Sequence, residues 1–160
     1  MFLSTQVFAD GPFVKIPVTS YHFDVQEVDM NNGDKYPYNE NNLGIGIGYE
    51  FEDTDLFTDM FTGFRPDIGL SLSHYPDSYE CRATTLQSRV TTEFGRFDLG
   101  GALNLSDKCM NNLRKNEIFV APSLSLLFNI TNRARLAVDA LPRVKSDGSG
   151  FIALSVEGSF

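Results

Sequence analysis

The feature that most constrains this chain is an alternation of apolar with small or polar residues that recurs along almost its whole length. Leu43, Ile45, Ile47, Tyr49 and Phe51 take successive odd positions, with Gly44, Gly46, Gly48 and Glu50 between them. Phe97, Leu99, Gly101, Leu103 and Leu105 repeat the pattern against Asp98, Gly100, Ala102 and Asn104. Ile118, Val120, Leu124, Leu126 and Phe128 oppose Ala121, Ser123 and Ser125, and Leu136, Val138 and Ala140 oppose Arg135, Ala137 and Asp139. Near the end Ile152, Leu154, Val156 and Phe160 oppose Ala153, Ser155, Glu157 and Ser159. A period of two is the signature of strands, because successive side chains leave opposite faces. Weaker alternation over 13–23, 68–75 and 82–94 brings the expected number of strands to eight.

The two faces differ in an unusual direction. The polar face carries mostly Gly, Ala and Ser, whereas a soluble sandwich turns Lys, Glu and Thr toward water. Small residues on one side and Leu, Ile, Phe and Tyr on the other describe a barrel with its apolar face outward, so the expected fold is an all-β, eight-stranded antiparallel up-and-down transmembrane β-barrel. A soluble β-sandwich or barrel is the competing reading. With 160 residues the chain suits a single barrel domain over 13–160, preceded by a residual signal or N-terminal segment over 1–12. No window approaches the ~18 consecutive apolar residues of a spanning helix. A net charge of −8 without a Lys/Arg stripe argues against nucleic acid as a partner.

Strand counting sorts the connections. Segments 24–41, 76–81, 106–115 and 143–150 fall at one end, and 53–67, the region of Gly95 and 130–133 at the other. Three of the first set are polar and fairly long, as outer loops are, and Thr131-Asn132-Arg133 reads as a tight inner turn. The stretch 53–67 is long for an inner turn and is expected to hold a short helix. Both cysteines, Cys81 and Cys109, are assigned to outer loops, where an oxidising environment suits a disulfide between them; two free thiols are the alternative.

Val18, Ser20 and His22 share the inner face of the first strand, which puts His22 at the outer rim. The third strand runs to the same rim at Asp77 and Ser78, where Pro76 permits a turn. One imidazole, one carboxylate and one hydroxyl at one end of a barrel are the parts of an acyl-transfer site, in which the imidazole takes a hydroxyl proton and the carboxylate fixes its tautomer. His74 falls on the outward face beside Leu70 and Leu72 and is given no catalytic role. Neither histidine shows metal-ligand spacing with the cysteines, and no cofactor or metal is expected.

Several of these residues carry a resemblance. Tyr21-His22-Phe23 is followed by an acidic loop, by Tyr38-Asn39-Glu40 and by the strand Gly44-Ile45-Gly46-Ile47-Gly48. Asp77-Ser78 ends the third strand, Ile118-Phe119-Val120-Ala121-Pro122 opens an apolar strand, Ala140-Leu141-Pro142 precedes the last loop, and Phe160 closes the chain. In this order the pattern resembles the outer-membrane lipid A palmitoyltransferase (PagP) family over nearly the whole chain. The resemblance implies a monomeric barrel of the bacterial outer membrane that moves a palmitoyl-type chain from a phospholipid to lipid A or a similar lipid, with His22, Asp77 and Ser78 catalytic. On that basis Gly44, Gly46, Gly48 and Gly100 leave interior room for an acyl chain, or else only relieve crowding in a small barrel. Arg114 and Lys115, with Lys108, Arg143 and Lys145, are placed to meet lipid phosphates or serve as solvated loop charge. Asp24, Glu27, Asp29 and Asp34 in the first loop are candidates to share divalent cations with lipopolysaccharide, although they show no ligand spacing such as that of an EF-hand. The alternative function is a non-catalytic outer-membrane barrel: an adhesin, a structural protein or a phage-encoded surface protein.

Overall fold

The computed structural model describes residues 10–23, 27–29, 35–37, 40–52, 66–77, 81–109, 116–142 and 150–160, with the side chains of 27–29, 35–37, 108–109 and 116–117 outside that description. The N-terminal segment before Asp10 and the connection over 53–65, where a short helix is expected, also lie outside it. Ten strands run in chain order: β1 (Gly11–His22), β2 (Glu27–Asp29), β3 (Lys35–Pro37), β4 (Ile45–Phe51), β5 (Asp67–Pro76), β6 (Arg82–Phe94), β7 (Phe97–Cys109), β8 (Asn116–Thr131), β9 (Ala134–Leu141) and β10 (Phe151–Ser159). Eight of them close a barrel in the order β1-β10-β9-β8-β7-β6-β5-β4, every pairing antiparallel. The eight-stranded meander expected from the alternation is therefore the observed fold, and no described residue is helical.

Two assignments change. The first long connection contains a two-stranded ribbon, β2 with β3, where the sequence reads as plain loop. The connection expected over 106–115 is shorter, because the β7–β8 ladder continues through Ser106↔Phe119 to Cys109↔Asn116. Cys109 thus ends a strand rather than sitting in a loop. Cys81, the residue before β6, is disulfide-bonded, as expected of an outer-end cysteine.

Strand direction puts 23–44, 77–81, 110–115 and 142–150 at one end, called the His22 end, and 52–66, 95–96 and 132–133 at the other, the Gly95 end. Gly95 opens a two-residue turn between Phe94 and Phe97 at φ +72°, a left-handed conformation that glycine adopts without a Cβ clash.

The outer surface is apolar in layers. Leu43, Ile45, Ile47, Leu72, Leu86, Leu103, Leu105, Leu124 and Leu126 form an exposed aliphatic band, as the outward rows of β4, β7 and β8 predict; in the rows of β9 and β10 Val156 is exposed while Leu136, Val138, Ile152 and Leu154 are half-buried. Aromatic rings flank it. At the Gly95 end Tyr49 packs on Phe51 at 4.6 Å and Phe97 on Phe128 at 5.1 Å, with Phe94 beside them; at the His22 end Tyr21 meets Phe23 edge-on at 6.0 Å. His74 faces outward as expected, its Nδ1 3.0 Å from Thr84 Oγ1.

The inside is more highly charged than a Gly/Ala/Ser lining. Arg89 on β6 donates two parallel hydrogen bonds to Glu157 on β10, at 3.0 and 2.9 Å. These strands lie diametrically opposite in the barrel order, so this single pair spans the lumen. Arg135 donates to Glu157 at 2.6 Å and, through both terminal nitrogens, to Glu50 at 2.8 Å, while its guanidinium sits 5.5 Å from the Phe13 ring centroid. Lys15 lies 3.6 Å from Glu157 and 3.7 Å from Asp139. Three cations face three carboxylates in this cluster, a balance that buried charge requires.

A candidate active site at the His22 end

The position of His22 depends on one irregular residue. Along β1, Phe13, Lys15 and Pro17 point inward; continuing that alternation would turn His22 outward. A bulge between Pro17 and Thr19 inserts Val18 without a partner on β10, and beyond it Ser20 and His22 point inward while Tyr21 and Phe23 are exposed. Such an extra residue reverses which face the remaining side chains occupy. Val18 therefore does not share a regular row with Ser20 and His22, as expected, but is the residue that brings them inside. The bulged stretch is held on its other side by the segment before β4: Asn42 donates its N–H to Val18 O at 3.2 Å, Gly44 to Pro17 O at 3.1 Å, and Ser20 to Glu40 O at 3.0 Å. His22 is 5% exposed and stacks on Phe151, its register partner on β10, at 5.3 Å.

Asp77, just past β5, is 3% exposed and lines a cavity in the upper lumen together with Ser20, Asn42, Tyr75, Asp139 and Phe151. Its Oδ1 accepts the Cys81 N–H at 2.9 Å, and its own N–H donates to Cys81 O at 2.8 Å, so the carboxylate is fixed by the turn the disulfide anchors. The structure thus brings two of the three expected catalytic residues to one end of the barrel, buried there. Ser78 lies outside the described residues, as do Arg114, Lys115, Arg143, Lys145, Asp24 and Asp34.

The cavity measures about 90 Å³, below the ~300–1,000 Å³ typical of ligand pockets. The glycines do not provide the room: a Cβ at Gly48 would lie 2.3 Å from the Phe13 ring, at Gly44 2.3 Å from His74 O, at Gly46 2.8 Å from Leu72 O, and at Gly100 1.9 Å from Val90 O. They permit close approach of neighbouring strands and of Phe13, which agrees with the crowding-relief reading of these four positions.

Apolar volume lies instead on the outer wall. The β8–β9 ladder stops at Leu124↔Ala140. Continued in this register, Ser123 faces Leu141 and then Pro122 faces Pro142; neither proline has an N–H to donate, and the wall opens above them. A groove of about 490 Å³ occupies the opening, lined by Phe23, Pro122, Leu124, Leu141, Pro142 and Gly150. Leu141 lines both this groove and the lumen cavity. His22 lines neither, but its neighbours do: Phe23 borders the groove and donates its N–H to Gly150 O at 3.0 Å, while the imidazole lies on Phe151 of the cavity wall. Both prolines were legible as motif residues, but their opposition follows only from the strand register.

The class defined by these features is a closed eight-stranded antiparallel barrel with an outward apolar surface, a charge-filled lower lumen and a buried His and Asp at one rim. No protein-family model matches the chain, and no curated protein is detectably similar to it in sequence.

Proposed function

We propose that the chain spans the bacterial outer membrane and transfers an acyl chain from a phospholipid to lipid A or a similar lipid acceptor at its His22 end. The aliphatic band between two aromatic layers supports the membrane reading, since lipid-facing barrels carry this arrangement and water-exposed ones avoid it. The observation that supports the transfer reading is a buried imidazole at the rim whose chain neighbour Phe23 borders an apolar lateral groove and whose ring partner Phe151 borders a cavity that Asp77 also lines. The groove is of ligand size and open to the side, where an acyl chain arrives from a bilayer.

In this reading His22 removes the proton of the acceptor hydroxyl as that oxygen attacks the ester carbonyl of the donor. The bond from the carbonyl carbon to the glycerol oxygen then breaks, and the imidazolium returns the proton to the departing lysophospholipid. The Asp77 carboxylate offsets the imidazolium charge, and Ser78 either polarises the carbonyl or serves as the intermediate nucleophile.

Lipid mass spectrometry of cells with and without the protein tests this. The expected result is an acceptor lipid heavier by one acyl chain together with lysophospholipid, both lost in His22→Ala, Asp77→Ala and Ser78→Ala barrels that still show the heat-dependent gel shift of a folded barrel. Unchanged lipids in cells carrying the folded parent would instead support the second reading, a non-catalytic outer-membrane barrel. That reading is favoured by one observation, the Arg89–Glu157 pair across the lumen, which gives the protein a rigid plugged core of the kind a surface scaffold needs.

A further inference from the structure

The outward side chains of β4, β5 and β6 form tiers whose chemistry changes toward the His22 end. Ile47, Leu72 and Leu86 are register partners and make an exposed aliphatic row. Two residues nearer the rim the row is Ile45, His74 and Thr84. The row above that is Leu43, Pro76 and Arg82: Pro76 pairs with Arg82, and Leu43 faces Pro76 when the β4–β5 register is continued. The β4–β5 ladder itself ends at Ile45↔His74, and Pro76 has no N–H to extend it. A groove of about 390 Å³ lies over this end of the wall, with Leu43, Ile45, His74, Pro76 and Arg82 in its lining. It is of ligand size. In the barrel order β5 is diametrically opposite β9, so this groove is separate from the one between β8 and β9.

Two nitrogen-bearing side chains at the mouth of an apolar wall select what fills it. Arg82 is exposed, and among the described residues its guanidinium makes no hydrogen bond or ion pair. Asp107, the register partner of Thr84 on β7 and the nearest outward carboxylate in these rows, does not pair with it. His74 is oriented through Nδ1, 3.0 Å from Thr84 Oγ1, which leaves Nε2 for another partner; in the tautomer that accepts the Thr84 hydroxyl, Nε2 carries the hydrogen. A guanidinium fork matches the oxygens of a phosphate, and a long arginine at the edge of an apolar surface reaches for the headgroup level. The aliphatic row beneath matches an alkyl chain. An anion with an apolar tail satisfies both parts, whereas a free anion leaves the row uncovered.

We propose that this groove holds one anionic phospholipid, its phosphate on Arg82 and His74 and an acyl chain along Ile47, Leu72 and Leu86. The site rests on the membrane reading above and is independent of the transfer reading.

Native mass spectrometry of the folded full-length protein in maltoside micelles, which carry neither charge nor phosphate, counts the lipids it retains. The parent should retain one phosphatidylglycerol in preference to phosphatidylcholine, whose headgroup cation neutralises the phosphate. Arg82→Gln should weaken phosphatidylglycerol retention about fivefold, the contribution of one arginine at a charged lipid surface, and His74→Leu should weaken it as well. Arg96→Gln, the same loss of charge in the exposed turn at the Gly95 end, should leave it unchanged. Each variant is compared as a barrel that keeps its heat-dependent gel shift. Excess glycerol 3-phosphate, a head without chains, should not displace the lipid. Equal retention of the two phospholipids, or equal losses in Arg82→Gln and Arg96→Gln, would overturn the site, and displacement by glycerol 3-phosphate would replace it with a free-anion site. A parent that stays monodisperse without detergent would remove the membrane reading and this site together, whereas a micelle-bound parent without lipid preference would remove the site alone.

Discussion

Glu157 accepts hydrogen bonds from Arg89 and Arg135 and lies 3.6 Å from Lys15, with no exposure to solvent. Replacing it by Gln leaves two guanidinium groups with Glu50 as their remaining carboxylate contact, and removing one partner of a buried ion cluster costs about 3–5 kcal/mol. Urea unfolding in lipid vesicles should show a loss of this size for Glu157→Gln; an unchanged midpoint would mean the cluster is not what closes the lumen. The inward direction of Glu157 was legible, since it shares the polar row with Ser155. Its partners were not, because alternation fixes the face of a residue and leaves open which strands meet across the barrel. At the same end of the molecule, burial, with the carboxylates of Asp67 and Asp10 close by, pushes the Glu52 carboxyl above its ordinary value. The folded state then holds this proton more tightly than the unfolded chain, so the associated stability is present below the ordinary carboxyl value and lost as pH rises through the raised one. Glu52→Gln should accordingly be more stable than the parent at pH 8 and equal to it at pH 4, measured by the same unfolding assay.

At the scale of elements, β1 shows where sequence patterning runs out. Expecting Ser20 and His22 inside was correct, but regular alternation from Phe13 and Lys15 would have denied it, and only the unpaired Val18 reconciles the two halves of the strand. A bulge has no residue signature here beyond Pro17, so its location is settled by pairing with β10. Deleting Val18 should restore one alternation, turn His22 outward and abolish any activity that needs it, with the barrel still formed. The ribbon of β2 and β3 was missed for a related reason: three-residue strands are too short to show a period. The long rows were read correctly because each repeats over four or five positions. Leu103 is exposed in the middle of one such row, and Leu103→Arg should cost about 2–4 kcal/mol in a bilayer. The same change in a water-facing band would cost close to nothing, which makes the unfolding energy in vesicles a direct check on what surrounds the outer surface.

The whole molecule divides along the barrel axis into a charge-filled half at the Gly95 end and a half at the His22 end with a cavity inside and an apolar groove outside. The sequence displayed the residues of both halves without their division. Pro122 and Pro142 stood out as motif residues, but the groove exists because the register sets them opposite each other; the glycines suggested open volume because sequence cannot show that Phe13 fills the space beside Gly48. Function on this account lies at one rim, where lipid reaches a buried imidazole from the side. The most direct test is acyl transfer by the purified protein reconstituted in vesicles that contain phospholipid with an isotopically labelled acyl chain and lipid A as acceptor. The account predicts labelled lipid A and lysophospholipid in equal amounts, with neither formed by the folded His22→Ala barrel. Labelled product formed equally well by His22→Ala, or none formed by the folded parent, would contradict it.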